Sequence, residues 1–453
     1  SVAVLPFANM SNDPDNEYFS DGLTDTLLHM LAQIPDLRVA ARTSSFAFKG
    51  QSKGVPEIAR ELGVANILEG SVQRANDQVR VTAQLIRAED GFHIWSQTYT
   101  RPLQDIFAIQ DEIATDVAGA LGTSLLGEDA FTVQGVATKD LTAFDRYLKG
   151  LEQQAIFSYG SLEAAEDHFE QALAQDPEFT DARLALALNY IRKHMTGMIT
   201  RQEVQRFAQP LTQQVLEQHP ENKLAQSYQG MLESRFNDQL RTREEIRANV
   251  YRNRDLLAFL PTETFIRTSV AGGLHFVLDE SEAALEVLDA GMLIDPLDPD
   301  LHMEQGRILF DLDQLDGSET AIRRAIELAP ENPTGYGMMA DIATRRGNLP
   351  AYMDWIRQAM ELDPRDHELP FEIAASLYAL ELTEEAEPFY ARVQALAPGS
   401  SMARLLEVMR ASERDQVEQA VELARLMISD QVDNRRGSFW WANLYFTDNM
   451  MEA

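Results

Sequence analysis

The amino-acid sequence predicts an α/β amino-terminal domain, a mixed sheet with packed helices, followed by an all-α solenoid of paired helices. Three observations carry this expectation. The chain has 453 residues, about three times a typical domain, so several domains or a repeat array are expected. Residues 1–121 mix short β-branched runs with short helical patterns, whereas residues 141–453 are helical almost throughout. Four prolines, Pro296, Pro330, Pro364 and Pro398, recur at a constant spacing of 34.

In the first region, Val2 to Phe7 reads as a buried strand, and the polar run ending at Glu17 as a turn-rich loop. Ser20 or Asp21 can cap a helix running to about Gln33, in which Leu23, Leu27, Leu28 and Leu31 share one face. Pro35 stops it, and Leu37 to Ala41 follows as a second strand. Val55 to Leu62 reads as a short helix, with Pro56 in its first turn and Gly63 just past its end. Ala65 to Gln73, Val79 to Arg87 and His93 to Thr100 form an antiparallel set. In the middle one, Val79, Val81, Ala83 and Leu85 alternate with polar residues, the pattern of a strand with one wet face. A helix from about Leu103 to Leu121 closes this domain, 1–121. Residues 122–140 carry Gly122, Gly127 and Gly135 without periodicity and read as a linker. The regions on its two sides are therefore expected to behave as separate cooperative units.

The helical region, 141–453, must be tested for repeats, because prolines at one spacing can coincide by chance. The helix before each proline supplies the check. It carries Ala284, Leu288 and Gly291, then Ser318, Ile322 and Ala325, then Tyr352, Ile356 and Ala359, then Ala386, Tyr390 and Val393. A small residue precedes a large one in all but the Tyr352 set, as close helix pairing requires. Ala165, Phe169 and Ala172 before Pro177 give the same pattern earlier. Roughly eight units are expected, best registered over 265–432. A single unit cannot bury its apolar face, so they must stack.

The formal net charge of −33 disfavours nucleic acid and anionic membrane surfaces, since phosphate contacts need clustered cations. No run is long and apolar enough for a membrane-spanning helix, so no membrane insertion by this segment is expected. Cysteine is absent, which removes disulfides and thiolate chemistry. No phosphate-binding loop, dinucleotide fingerprint or nucleophile elbow is present. The eight histidines lack the spacing of a zinc helix. DLDQLDG, Asp311 to Gly317, has its acids one place out for a calcium loop and reads as a turn between two helices. No catalytic residue, cofactor or metal is therefore expected.

Two patches stand out. RTSSFAFKG combines Arg42, Ser44, Ser45 and Lys49 in a cationic, hydroxyl-rich loop that could take an anion or phosphate, unless it serves to pin Phe46 and Phe48 in the core. Near the C-terminus, Phe439, Trp440 and Trp441 lie in a crowded aromatic stretch, read either as a capping helix or as an oligomer contact.

The segments AVLPFANMSNDPDNEYFSDGLTDTLLHMLAQIPDLRVAARTSSFAFKG, ELGVANILEGSVQRANDQVRVTAQLI, HIWSQTY and IFAIQDEIA resemble the TolB amino-terminal-like domain of bacterial signalling proteins. The 34-residue units resemble tetratricopeptide repeats. The resemblance implies an output domain upstream: first a class III adenylate or guanylate cyclase, second a CadC-like transcriptional regulator. It also implies a soluble segment on the periplasmic side of an inner membrane, with the cytoplasm as the alternative. The opening run SVAVLPF reads as the interior of a longer protein. The expected function is then non-catalytic regulation or scaffolding with a protein or peptide partner. A small-molecule receptor using the first domain is the alternative. In a tetratricopeptide solenoid the first helix of each pair lines the groove, and its outward places here hold Phe276, then Met303, Arg307 and Phe310, then Asp341 and Arg345, then Phe371 and Tyr378. The opposing reading is that the phenylalanines fill between neighbouring repeats.

Overall fold

The computed structural model describes residues 1–430 other than 12, 14–15, 35–36, 76, 122–137, 157, 197, 234–241, 365–366 and 415. Most of the expected linker and all of Phe439, Trp440 and Trp441 lie outside the described residues. The chain forms two compact units, 1–308 and 309–453.

The first unit begins with β1 (Val2–Val4), β2 (Ala8–Asn9), α1 (Glu17–Ala32), α2 (Arg42–Phe46) and α3 (Val55–Leu62). There follow β3 (Asn66–Ala75), β4 (Gln78–Arg87), β5 (His93–Pro102) and α4 (Ile106–Ala120). The sheet order is β1-β3-β4-β5, with β2 also on β3. β1 and β2 pair with β3 in parallel, and β3, β4 and β5 form an antiparallel meander. The sheet is therefore mixed, because β1 reaches β3 through α1–α3 while the later strands are joined by tight turns. Val79, Val81, Ala83 and Leu85 of β4 are fully buried, in one core with Leu23 and Leu27 of α1 and Ile109 and Ile113 of α4. Each such aliphatic side chain contributes about 1.5–3 kcal/mol.

Two local expectations differ. The strand expected at 37–41 is a single bridge, Val39 with Val2. Beyond it the chain leaves the sheet, since the Ala41 N–H donates to the Ile294 carbonyl at 3.2 Å. Helix α1 starts at Glu17, before Ser20, whose side chain is buried and caps nothing. The turn after α3 follows expectation: Gly63 has φ 63°, the left-handed cap.

The helical region runs as α5 (Leu141–Ile156), α6 (Tyr159–Gln175), α7 (Thr180–Met195), α8 (Arg201–Gln218), α9 (Lys223–Met231), α10 (Arg243–Leu256), α11 (Thr264–Gly272), α12 (Ser281–Met292) and α13 (Pro299–Asp311). It continues as α14 (Leu315–Leu328), α15 (Pro333–Arg345), α16 (Leu349–Leu362), α17 (Glu368–Ala379), α18 (Thr383–Leu396), α19 (Ser401–Glu413) and α20 (Val417–Asp430). Second helices α12, α14, α16, α18 and α20 begin 34 residues apart, at Ser281, Leu315, Leu349, Thr383 and Val417. The turns before four of them share one left-handed place: Asp279 (φ 63°), Asp313 (φ 58°), Gly347 (φ 68°) and Glu381 (φ 61°). The small and large places hold too. Ala284, Leu288, Ser318, Ile322, Ile356, Ala359, Ala386 and Val393 are all essentially inaccessible. Tyr352, the outlier, is also buried, and its hydroxyl lies 3.4 Å from that of Ser376.

Residues 1–121 and the first repeats do not pack separately. One apolar core joins Leu23, Leu27 and Leu31 of α1 to Ala143, Phe144 and Leu148 of α5 and to Phe179 and Ala182. Gly22 makes the approach feasible, because a Cβ there would lie 2.4 Å from both Leu148 methyl carbons. The two regions, expected to behave as separate cooperative units, share this apolar core. Phe144 and Leu148 look in sequence like the interior of a repeat, yet their apolar partners include the other domain.

Candidate functional site

The repeat positions expected to face a partner divide into two sets. In the first unit, α11 continues into a π turn, Gly273–Val277, which leaves Phe276 46% exposed. The Arg307 guanidinium lies over that ring, 4.2 Å from its centroid. The same guanidinium is bidentate on Glu304, at 3.1 and 2.8 Å. Met303 is half-buried on the same helix. In the second unit, Arg345 lies 4.5 Å from the Phe310 ring centroid. Its guanidinium donates to exposed Asp313 at 3.3 Å. Asp341 is accessible, yet its carboxyl is pushed up to about 6 by the surrounding wall, which removes part of its hydration.

Phe371 and Tyr378 fall out of this set. Both are buried, at 4% and 0% exposure, in the core that joins α15 to α20. The reason is helical phase: α17 is apolar nearly all round, and Ile373, Ala374, Ala375 and Leu377 are buried beside them.

A pre-formed arginine over an aromatic ring presents a planar set of donors at low entropic cost. Arg307 already spends two donors on Glu304, so a ligand carboxylate would have to displace an internal one. Arg345 is less committed. Sequence reasoning did not find Arg410, which is bidentate on Glu387 at 2.7 and 2.8 Å and lies 4.5 Å from the Tyr390 ring centroid. The signal was available, since Tyr390 occupies a register place that is usually aliphatic here.

The cationic loop behaves differently from an anion site. Lys49 binds the carboxylates of Asp21 and Glu17 at 2.6 and 2.8 Å. Arg42 binds Asp25 at 3.2 Å and lies over Phe46. Ser44 is fully buried, and its N–H and hydroxyl both donate to Asp295. The Ser45 hydroxyl is buried without a hydrogen-bond partner among the described residues. The loop thus meets carboxylates of the chain itself, which corrects the anion reading. Phe48 is pinned in a core with Ile58, Ala59 and Leu62, as the alternative reading expected, whereas Phe46 is half-buried beneath Arg42.

What this loop builds is a seat on the repeats. Asp295 and Asp298 lie between α12 and α13 and are 2% and 4% exposed. Asp298 caps α13, accepting from the N–H groups of Asp300 and Leu301 at 2.8 and 3.4 Å. Its register equivalents Asn332 and Ser400 are caps as well. Asp295 has no capping role, and its register equivalents are Ala329, Asp363 and Ala397.

Among the described residues no group of three or more His, Cys, Asp or Glu is arranged to hold a metal ion, and no helix is long and apolar enough to cross a membrane.

The tetratricopeptide repeat family matches residues 278–333. A Rhizobium meliloti (strain 1021) protein named "Putative adenylate cyclase 3" is 38% identical over 190 residues, 42% of this chain and 32% of the relative. The chain thus spans about a third of that relative's length. Among solved structures, yeast Tom70 covers 70% of this chain and 66% of its own (15% identity, TM-score 0.48). A human IFIT1 dimer with m7Gppp-AAAA covers 73% and 82% (12% identity, TM-score 0.49). YrrB, a repeat protein with an unusual peptide-binding site, covers 40% and 93% (18% identity, TM-score 0.30). The chain thus matches the tetratricopeptide repeat over 278–333, within helix pairs spaced 34 residues apart, and carries a small mixed-sheet domain before them.

Proposed function

We propose that this chain is the non-catalytic, partner-binding part of a bacterial signalling protein, and that it regulates an adenylate cyclase domain upstream. The supporting observation is the 38% identity to a relative named as an adenylate cyclase, joined to repeats of a kind that commonly bind protein or peptide. The first domain is read as TolB-like on its resemblance. In this reading the segment lies on the periplasmic side of an inner membrane, and the CadC-like parent is the alternative.

The partner contacts the accessible arginine–aromatic pairs, Arg345 on Phe310 and Arg307 on Phe276. The partner groups that match are a carboxylate for the guanidinium and an apolar side chain beside the ring. The test screens displayed peptides against the chain and compares Arg345→Ala and Arg307→Ala. Capture should weaken by about 1–3 kcal/mol for Arg345→Ala, with melting nearly unchanged. The effect of Arg307→Ala should be smaller, because Glu304 already holds that guanidinium. Lowered melting with capture intact would make both arginines structural. Cyclic AMP output of the full-length protein that ignores a captured peptide would remove the regulatory reading.

A further inference from the structure

We propose that Ser44, Asp295 and Asp298 form a pH-sensitive clasp that holds the α/β domain on the repeats. The clasp joins residues 251 positions apart in the chain. The Ser44 N–H donates to Asp295 Oδ1 at 2.9 Å, and its hydroxyl donates to the same oxygen. The Leu297 N–H donates to Ser44 Oγ at 2.8 Å. With the Ala41 N–H on the Ile294 carbonyl at 3.2 Å, α2 is bound to the α12–α13 connection by backbone and side chain together. The Thr264 hydroxyl stands 3.5 Å from Asp295 Oδ2.

The two aspartates are buried three residues apart, and two ionised carboxylates so close with little water repel each other, which favours a proton on the pair. The groups around them offer hydroxyls, amides and further acid. Thr43 and Ser44 come from α2 and Thr264 from α11. Asp300 comes from α13 and faces Arg192 of α7 and Glu304. Burial raises the pair, and Asp298 is pushed up to about 7, by desolvation first and then by the Asp295 charge. Asp300 is pushed up to about 6, again by burial first.

Undocking returns these groups to water, where a carboxyl titrates near ~4. Between there and about 7 the docked form binds more protons, so docking weakens as pH rises through this window. Above it, two charges share a site with little water to screen them. Acidification therefore tightens the seat, and mild alkali loosens it. Replacement by asparagine is informative. The Asp298→Asn side chain would keep the α13 cap through its carbonyl oxygen and carry no charge beside Asp295 at any pH.

Hydrogen exchange of the whole chain tests this, followed by mass spectrometry from pH 5 to 8.5 on peptides covering 41–48. Rates are corrected for the intrinsic pH dependence of amide exchange, and β4 serves as an internal control. In the unsubstituted chain the opening constant for 41–48 should rise up to about tenfold per pH unit between ~5 and ~6.5, then level off above ~7. Asp298→Asn should make this rise shallower and protect 41–48 better than the native residue at pH 8. Ser44→Ala should lower protection of 41–48 at every pH and leave β4 unchanged. A flat profile in the unsubstituted chain would overturn the proposal. So would an equal rise in β4, or an Asp298→Asn profile that is less protected throughout yet equally steep. If Asp298→Asn loses its helical circular dichroism, Asp295→Asn carries the same expectation and the same refutation.

Discussion

The left-handed turn that recurs every 34 residues offers a clean test of what sets the repeat register. Gly347 (φ 68°) and Glu381 (φ 61°) occupy the same place in successive repeats of the second unit. A Cβ built at Gly347 meets nothing within 4 Å, so Gly347→Ala carries backbone strain and almost no steric clash. A left-handed non-glycine residue costs roughly 1–2 kcal/mol. Reduced unfolded-state entropy returns about 0.4–1 kcal/mol of that. Gly347→Ala should thus destabilise by roughly 0.5–1 kcal/mol net. Glu381→Gly should stabilise by a similar amount, because the same two effects act with reversed sign. Asp279 and Asp313 should gain less from glycine, since aspartate tolerates this region better than glutamate does. Urea unfolding followed by far-ultraviolet circular dichroism reads the effect as a shift in midpoint at constant slope. A neutral Gly347→Ala, or destabilisation by both substitutions, would show that the turn does not hold this conformation in solution. The physical account of the 34-residue register would then fail.

Two further outcomes follow from the packing and the composition. Gly22→Ala should lower the stability of the whole chain by about 1–3 kcal/mol through overpacking against Leu148. The double variant Gly22→Ala with Leu148→Ala should show positive coupling in a mutant cycle, and additive effects would contradict the shared core. The chain alone should neither produce cyclic nucleotide nor bind DNA in a salt-dependent way, since it has no phosphate-binding loop and a net charge of −33. Activity in either assay would overturn the non-catalytic reading.

The sequence by itself determined the features that depend on neighbours in the chain. Helix α3 was legible to the residue because Pro56 and Gly63 mark its two ends. Strand β4 was legible from the alternation of Val79, Val81, Ala83 and Leu85. The repeats were legible because each pair must bury the same small and large places, so Ala284, Ser318 and Ala386 recur at one spacing. Periodicity records that a side chain is buried, but not what buries it. Phe371 and Tyr378 were expected in the groove and lie in the core, because the phase of α17 is set by neighbouring helices. Ser44 and Lys49 were read as donors for an outside anion. Asp295 and Asp21 answer them instead, and no local pattern links Ser44 to a carboxylate 251 residues away. The contact of α1 with α5 was equally hidden, since Gly22 and Leu148 each fit an ordinary helix. Only the tertiary structure decided that the two regions share a core, because long-range packing depends on complementary surfaces that separate segments bring together.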